Sequence, residues 1–358
     1  MITKKLSIII PVYNGQDYIG RCLGSVLNQS GVGEHEIIVV NDGSTDNTEK
    51  IVKSIAKKNK NIKLINQPNS GVSVARNNGL RQSYGKYVTF IDADDTVGVK
   101  QKNFASYFHH EYLNKNLLIG NGYHDQLQIS KDFFDYHYFD NMLYAAEFTE
   151  ADVVFGGKIT INYDTNTLME HVYTQNYVYG QSDEDKAVLL NHADIRESAN
   201  FAVYNRKLLR KHKLKFVPHM HLDEDMLFCM MAVLYADNVA TVKDTTYLYN
   251  RHENTLSNIP DADNLRHKYA LSTIQRYSVL LDKLYGKQKY ETLFNEWLKE
   301  YSRQGIKYCS LYPFEFAPQK CAFECDKKSC IGCSTANFMS KQIKQNIAFY
   351  MPEKCETR

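Results

Sequence analysis

The chain has 358 residues, 43% hydrophobic and 23% charged, with a formal net charge of +2 at pH 7. That is the balance of an ordinary water-soluble globular protein, long enough for two domains or for one large domain with an appendage. Near-neutral charge gives no overall attraction to a polyanion such as nucleic acid, and no stretch approaches the roughly 20 uninterrupted apolar residues of a membrane span. The opening MITKKLSIIIPVYN has a basic start and a short apolar run. That run stops at Pro11 without a small-residue cleavage site, so it does not read as a signal peptide, and a cytoplasmic protein is expected.

The first hundred residues alternate regularly. LSIIIPVY (6–13) is a β-branched run closed by the turn pair Asn14-Gly15. A helical stripe follows through Ile19, Cys22, Leu23, Val26 and Leu27. EIIVV (36–40) reads as a second strand and NDGSTD as a polar turn, with Thr45 or Asp46 placed to cap a helix carrying Ile51, Val52 and Ile55. IKLI (62–65) is a third strand, residues 72–82 a helix, and YVTFI (87–91) a fourth strand. Continuous apolar strands alternating with helices specify an α/β architecture whose mostly parallel sheet is covered on both faces. Ligands in such sheets bind beyond the carboxyl ends of the strands, where this sequence sets Tyr13, Asp42 and an acidic group at 92–95.

Beyond residue 98 the pattern weakens. Residues 100–138 are rich in Tyr, Phe, His and Asn without a clean period. ADVVFGGKITINY (151–163) resumes as strand with a partner near 168–174; DEDMLFCMMAVLYA (223–236) is a helix with an acidic head, and VATVKDTTYLYNRH (239–252) is extended. A boundary near 255–262 separates residues 1–258 from a helical region over 259–358.

The chemistry starts at YVTFIDADDTV, which packs Asp92, Asp94 and Asp95 into four positions. The chain has neither G-x-G-x-x-G nor a P-loop to cradle a pyrophosphate. Asp92 and Asp94 instead offer hard oxygen donors suited to Mg²⁺ or Mn²⁺, ions that also bind substrate phosphates and offset charge on a departing diphosphate. On the motif alone, an Asx-rich turn capping the next segment is the competing reading.

The stretches LSIIIPVYNGQDYIGRCLGSVLNQS, EIIVVNDGSTDNT, NSGVSVARNNGL and GKYVTFIDADD resemble, in order and spacing, the N-terminal half of family 2 glycosyltransferases, closely over residues 5–97. The resemblance implies the GT-A fold and an inverting sugar transfer of the bacterial surface-polysaccharide type. Its donor would be a nucleotide sugar, most simply UDP-linked, and its acceptor a glycan or lipid-linked oligosaccharide. It implies that Pro11 and Tyr13 pack against the nucleotide base and that Asp42 accepts the uracil imide N–H. Arg76 would approach the diphosphate, Asp92 the ribose, and Asp94 the metal. For Arg76 the bland reading is a surface helix residue paired with an acid.

A second acidic cluster, His221-Leu222-Asp223-Glu224-Asp225, heads a helix. Acids there are stabilised by the helix dipole regardless of function. However, LKFVPHMHLDEDMLF resembles the family segment whose aspartate after glutamate is the catalytic base, which maps to Asp225 with Glu224 beside it. Asp223 is a competing register, disfavoured because Leu227 and Phe228 follow Asp225 in the family's order. YLYNRHENTLSN resembles a segment with a basic residue near diphosphate or metal, making Arg251 and His252 candidates, His252 for the metal.

Cys321, Cys325, Cys330 and Cys333 could close a tetrahedral Zn²⁺ site, but only the last pair has the common gap, and free thiols in a helical appendage remain the alternative. TANFMSKQIKQNIAFYM carries an apolar face with lysines, open to peripheral membrane contact or, more simply, to packing on the domain. The family pattern lapses over about 100–140, an apparent insertion beside the expected site. Two rivals stay in view. A sugar-nucleotidyltransferase would need a glycine- and arginine-rich loop that PVYNGQDYIG lacks, and a non-catalytic nucleotide-sugar-binding module would lack the base.

Overall fold

LSIIIPV is buried along its whole length as β1 (Leu6–Val12). A strand apolar on both faces belongs inside a covered sheet. The chain continues through α1 (Ile19–Leu27), β2 (His35–Asp42), α2 (Thr48–Ala56), β3 (Ile62–Gln67), α3 (Val72–Arg81) and β4 (Tyr87–Phe90). β1 pairs in parallel with β2 and β4, and β3 lies parallel outside β2. Helical crossovers of this length are what parallel neighbours require. The computed structural model describes residues 5–98, 136–162, 167–171, 176–180, 198–218 and 224–251.

The predicted stripe on α1 is present, with Ile19, Cys22, Leu23 and Val26 buried. Neither cap candidate is the N-cap of α2, which is Asn47 without a side-chain cap bond; Asp46, one residue earlier, accepts on Oδ1 from the Thr48 backbone N–H at 2.9 Å.

Past β4 the sheet becomes mixed. The later elements are β5 (Thr96–Val97), α4 (Tyr138–Phe148), β6 (Val153–Asn162), β7 (Thr167–His171), β8 (Tyr177–Tyr179), β9 (Ala202–Asn205), α5 (Arg206–Lys211), α6 (Glu224–Tyr235) and β10 (Val239–Arg251). The main order is β3-β2-β1-β4-β9-β6-β10-β5, with β7 on β6 and β8 on β10. β9 runs antiparallel to both β4 and β6, so it splices the parallel half onto the second half. Its AVYN is too short to show a period, and the sequence reading passes over it, over β8 and over α5. The predicted 151–163, 168–174, 223–236 and 239–252 elements correspond to β6, β7, α6 and β10.

Two contacts set the geometry beneath the site. Phe216 and Phe228 stack at 4.2 Å between ring centroids, and Phe90 meets both edge-on at 4.9 and 5.4 Å. This cluster joins β4, the 214–217 segment and α6. Under α3, Gly79 has no room for a side chain, because a Cβ there would run into the Ile9 side chain of β1. Gly79→Ala therefore sets an overpacking cost of about 1–3 kcal/mol against a helix-propensity gain of about 1 kcal/mol. The expected result is a net loss of stability, read as a lower urea midpoint at unchanged m.

Candidate active site

The loops after β1 and β2 are stitched together. Asn14, in the left-handed region at φ 48, donates its N–H to Ser44 Oγ at 2.9 Å and accepts from the Thr45 N–H at 2.8 Å. The Gly15 N–H reaches Thr48 Oγ1 at 2.9 Å, and the Gln16 N–H reaches Asp46 Oδ2 at 3.0 Å. Burial raises the Asp46 pKa, but the Thr48 and Gln16 hydrogen bonds outweigh it and the net shift is downward. Above this clasp Pro11 is buried, while Tyr13 is 51% exposed, an aromatic face open at the end of β1.

Asp42, at the end of β2, is 3% exposed. Oδ1 accepts from Gln67 Nε2 and the Ser70 N–H, both at 2.8 Å, and Oδ2 accepts from the Gly71 N–H at 2.8 Å. Three of its roughly four acceptor positions are thus filled, so Asp42 builds the turn entering α3 and keeps one further acceptor position.

α3 distributes its polar residues to separate elements. Asn77 makes a reciprocal pair with the Phe216 backbone, at 2.8 Å to the carbonyl and 2.9 Å from the N–H. Asn78 Nδ2 donates to Gln67 Oε1 at 2.8 Å, which ties α3 to the residue holding Asp42. Arg76 is 2% exposed; its Nη2 donates to Asp92 Oδ1 and its Nη1 to Glu224 Oε1, both at 2.7 Å. Two of the five N–H donors of Arg76 thus go to carboxylates. The bland reading is corrected in one respect: Arg76 is paired with acids, but in the interior.

The three aspartates of the acidic loop have three environments. The Asp92 side chain is 28% exposed, bound by Arg76 and, through Oδ2, by Asn200 Nδ2 at 2.6 Å. Asp94 is partly exposed, and its backbone carbonyl accepts from Arg21 Nη2 at 2.8 Å and Asn250 Nδ2 at 2.9 Å. Asp95 is fully buried, accepting from the Tyr247 hydroxyl at 2.6 Å and the Asn250 N–H at 2.8 Å. Burial, then the charges of Asp94 and Asp92, pushes the Asp95 carboxyl well above the usual range. Tyr247, Asn250 and Asn200 have no signal in the sequence pattern. Their role depends on where β10 and the 198–201 segment are carried.

Glu224 is buried at the head of α6, and Asp225 beside it is partly exposed. Burial, then the Glu224 charge, raises the Asp225 pKa to about 7, against the opposing charge of Arg76. Arg251 ends β10, partly exposed. His252, Asp223, most of the 100–140 insertion, the region after 258 and Cys321, Cys325, Cys330 and Cys333 lie outside the described residues.

Among the described residues no three His, Cys, Asp or Glu side chains converge as a metal cage. Mg²⁺ does not need one, since one or two carboxylates plus substrate phosphates and water suffice. The pair Asp94 and Asp92 fits that smaller requirement. No helix among the described residues is long and apolar enough to cross a membrane.

A parallel nucleotide-type half spliced to a mixed half, with an acidic loop at the splice, is the GT-A architecture. Residues 7–101 match the family model "Glycosyl transferase family 2". The chain is similar to Escherichia coli "Uncharacterized glycosyltransferase YibD", 48% identical over 95 residues, 26% of this chain and 27% of that protein. A longer alignment joins the chain to Bacillus subtilis "Uncharacterized glycosyltransferase EpsJ", 26% identical over 255 residues, 71% of this chain and 63% of that protein. The chain thus spans less than two thirds of either relative. Staphylococcus aureus TarS 1-349, solved in complex with UDP-GlcNAc, superposes with a TM-score of 0.63 at 20% identity, covering 84% of this chain and 73% of that one.

Tyr247→Phe removes the hydroxyl that Asp95 accepts from and leaves a buried acceptor short of a donor. A stability loss of about 1–3 kcal/mol is expected in chemical denaturation.

Proposed function

We propose that this chain is a divalent-metal-dependent, inverting glycosyltransferase that moves a sugar from a UDP-sugar to a hydroxyl of a glycan or lipid-linked glycan. The observation that carries the reading is that Asp92 and Glu224, 132 positions apart by their numbers, bind one guanidinium. The acidic loop and the helix that presents Asp225 therefore border one locus at the carboxyl end of the parallel strands. The family 2 match over residues 7–101 supports sugar transfer, and the TarS 1-349 complex with UDP-GlcNAc favours a uridine donor.

In this reading Tyr13 offers its exposed face to the base, and Asp42 supplies its remaining acceptor position to the imide N–H. Asp94, with Asp92, would hold Mn²⁺ or Mg²⁺, which when bound supplies positive charge against the diphosphate. Arg251, at the end of β10, is placed as a further cation for the donor side. The Asp225 carboxylate takes the acceptor hydroxyl's proton as its oxygen bonds to the anomeric carbon and the bond from that carbon to the diphosphate oxygen breaks. General-base catalysis of this kind contributes about 10²–10⁴-fold.

Asp225→Asn should keep UDP affinity and lose about 10²-fold or more in donor turnover, scored as UDP release from a UDP-sugar panel. Turnover at the wild-type rate would move the base elsewhere. Asp94→Ala should abolish Mn²⁺-supported UDP binding in calorimetry, and undiminished affinity would remove Asp94 from the metal. The base works ionised, and its carboxyl is raised to about 7. The kcat/KM profile should therefore climb as pH rises to about 7 and then level off, falling about tenfold per unit on the acid side. A flat profile between pH 5 and 8 would count against Asp225.

A further inference from the structure

Arg76 stands where two acidic segments from distant parts of the chain meet. We propose that Arg76 is a positioning residue that clamps the base-bearing helix α6 to the Asp92 loop, and that it does not contact the donor's diphosphate. This role rests on the transferase reading above and assigns a device within it.

The clamp is fixed at both ends. At one end Asp92 is gripped twice, by Arg76 Nη2 at 2.7 Å and by Asn200 Nδ2 at 2.6 Å on its other oxygen. Asn200 makes that bond although its own Oδ1 is buried without a hydrogen-bond partner, so its orientation follows the carboxylate. At the other end Arg76 Nη1 holds Glu224 in the first turn of α6. The face of the guanidinium lies 5.1 Å from the Phe216 ring centroid, and Phe216 stacks on Phe228, four residues after Glu224 and so on the same side of α6. Helix α6 therefore meets the arginine assembly through two side chains one turn apart.

The Arg76 side chain is only 3% exposed, so the N–H groups that its two carboxylates leave unused are enclosed in the interior and not offered to a diphosphate oxygen. A planar fork fixes angle as well as distance, whereas a lysine ammonium is a point charge on a flexible stem. The arrangement thus sets where Asp225, the next residue after Glu224, lies relative to the loop carrying Asp94.

The test uses the full chain carrying Arg76→Lys, Arg76→Gln, or Arg76→Gln combined with Glu224→Gln, which guards against misfolding by removing one stranded charge. Two quantities are read for each: UDP affinity by calorimetry in EDTA, which reports a direct diphosphate contact without the metal that Asp92 would help to hold, and kcat for hydrolysis of the UDP-sugar found active with wild type. The clamp predicts kcat lowered more than tenfold in Arg76→Lys, with UDP affinity within threefold of wild type. It also predicts no recovery of kcat in the double variant, where the charge is rebalanced but the fork is gone. The pH profile gives a second signature. Asp225 is faced by Glu224 and Cys229 on its own helix, Arg76 on α3, Asp92 in the acidic loop and Tyr204 on β9. Removing the positive member should move the rise in kcat/KM to higher pH. UDP affinity falling in step with kcat would overturn the clamp in favour of a diphosphate contact, and wild-type kcat in Arg76→Lys would overturn it outright. Wild-type protein that neither binds UDP nor hydrolyses any UDP-sugar would instead sink the transferase reading, a result the variants cannot mimic.

Discussion

A guanidinium buried between two carboxylates governs this site. Burial alone lowers the affinity of Arg76 for its proton, yet Asp92 and Glu224 more than reverse that, and the group stays charged. The trio carries one positive and two negative charges, with two-residue neighbours at Asp94 and an adjacent one at Asp225. Such an arrangement persists only because each charge has a geometrically good partner. Deleting a partner of a buried pair typically costs about 3–5 kcal/mol, mostly through the charge left behind. The stability of the fold and the placement of the chemistry are therefore the same constraint at this point.

α3 extends that constraint outward. In VARNNG each residue from 76 to 79 is assigned to a different neighbour: Arg76 to the acids, Asn77 to the Phe216 backbone, Asn78 to Gln67, and Gly79 to close contact with Ile9. Gln67 in turn donates to Asp42, whose carboxylate caps the turn at the start of α3. The path from Asp42 through α3 to Glu224 is continuous hydrogen bonding and packing, so the Asp42 end and the Glu224 end of the site are set by one short helix.

The parallel half was legible in the sequence because burial on both faces leaves strands as unbroken apolar runs, and because the turns between them carry Asn-Gly and Asp-rich punctuation. The second half was less so. β9 is buried but only four residues long, too short to show a period, and Tyr177 and Val178 of β8 are exposed, so apolar side chains there mark no buried face. Of the site, the chemical types were legible and their partners were not. Arg76 and Asp42 both read as ligand contacts, yet internal partners separated by up to 148 positions take two of the five donors of Arg76 and three of about four acceptor positions of Asp42. No local pattern encodes that Asn200 will meet Asp92 or that Tyr247 will meet Asp95.

Three carboxylates in four positions would repel one another if they shared an environment. The fold separates them: Asp95 is sealed under Tyr247 and Asn250, Asp92 is bridged by Arg76 and Asn200, and Asp94 is left partly exposed with its backbone pinned by Arg21 and Asn250. Most of those restraints come from residues 200–250, outside the 7–101 segment that matches the family. The matched segment thus carries the acidic residues but not the means of holding them apart. A relative that shares only that segment must supply equivalent restraints from its own second half.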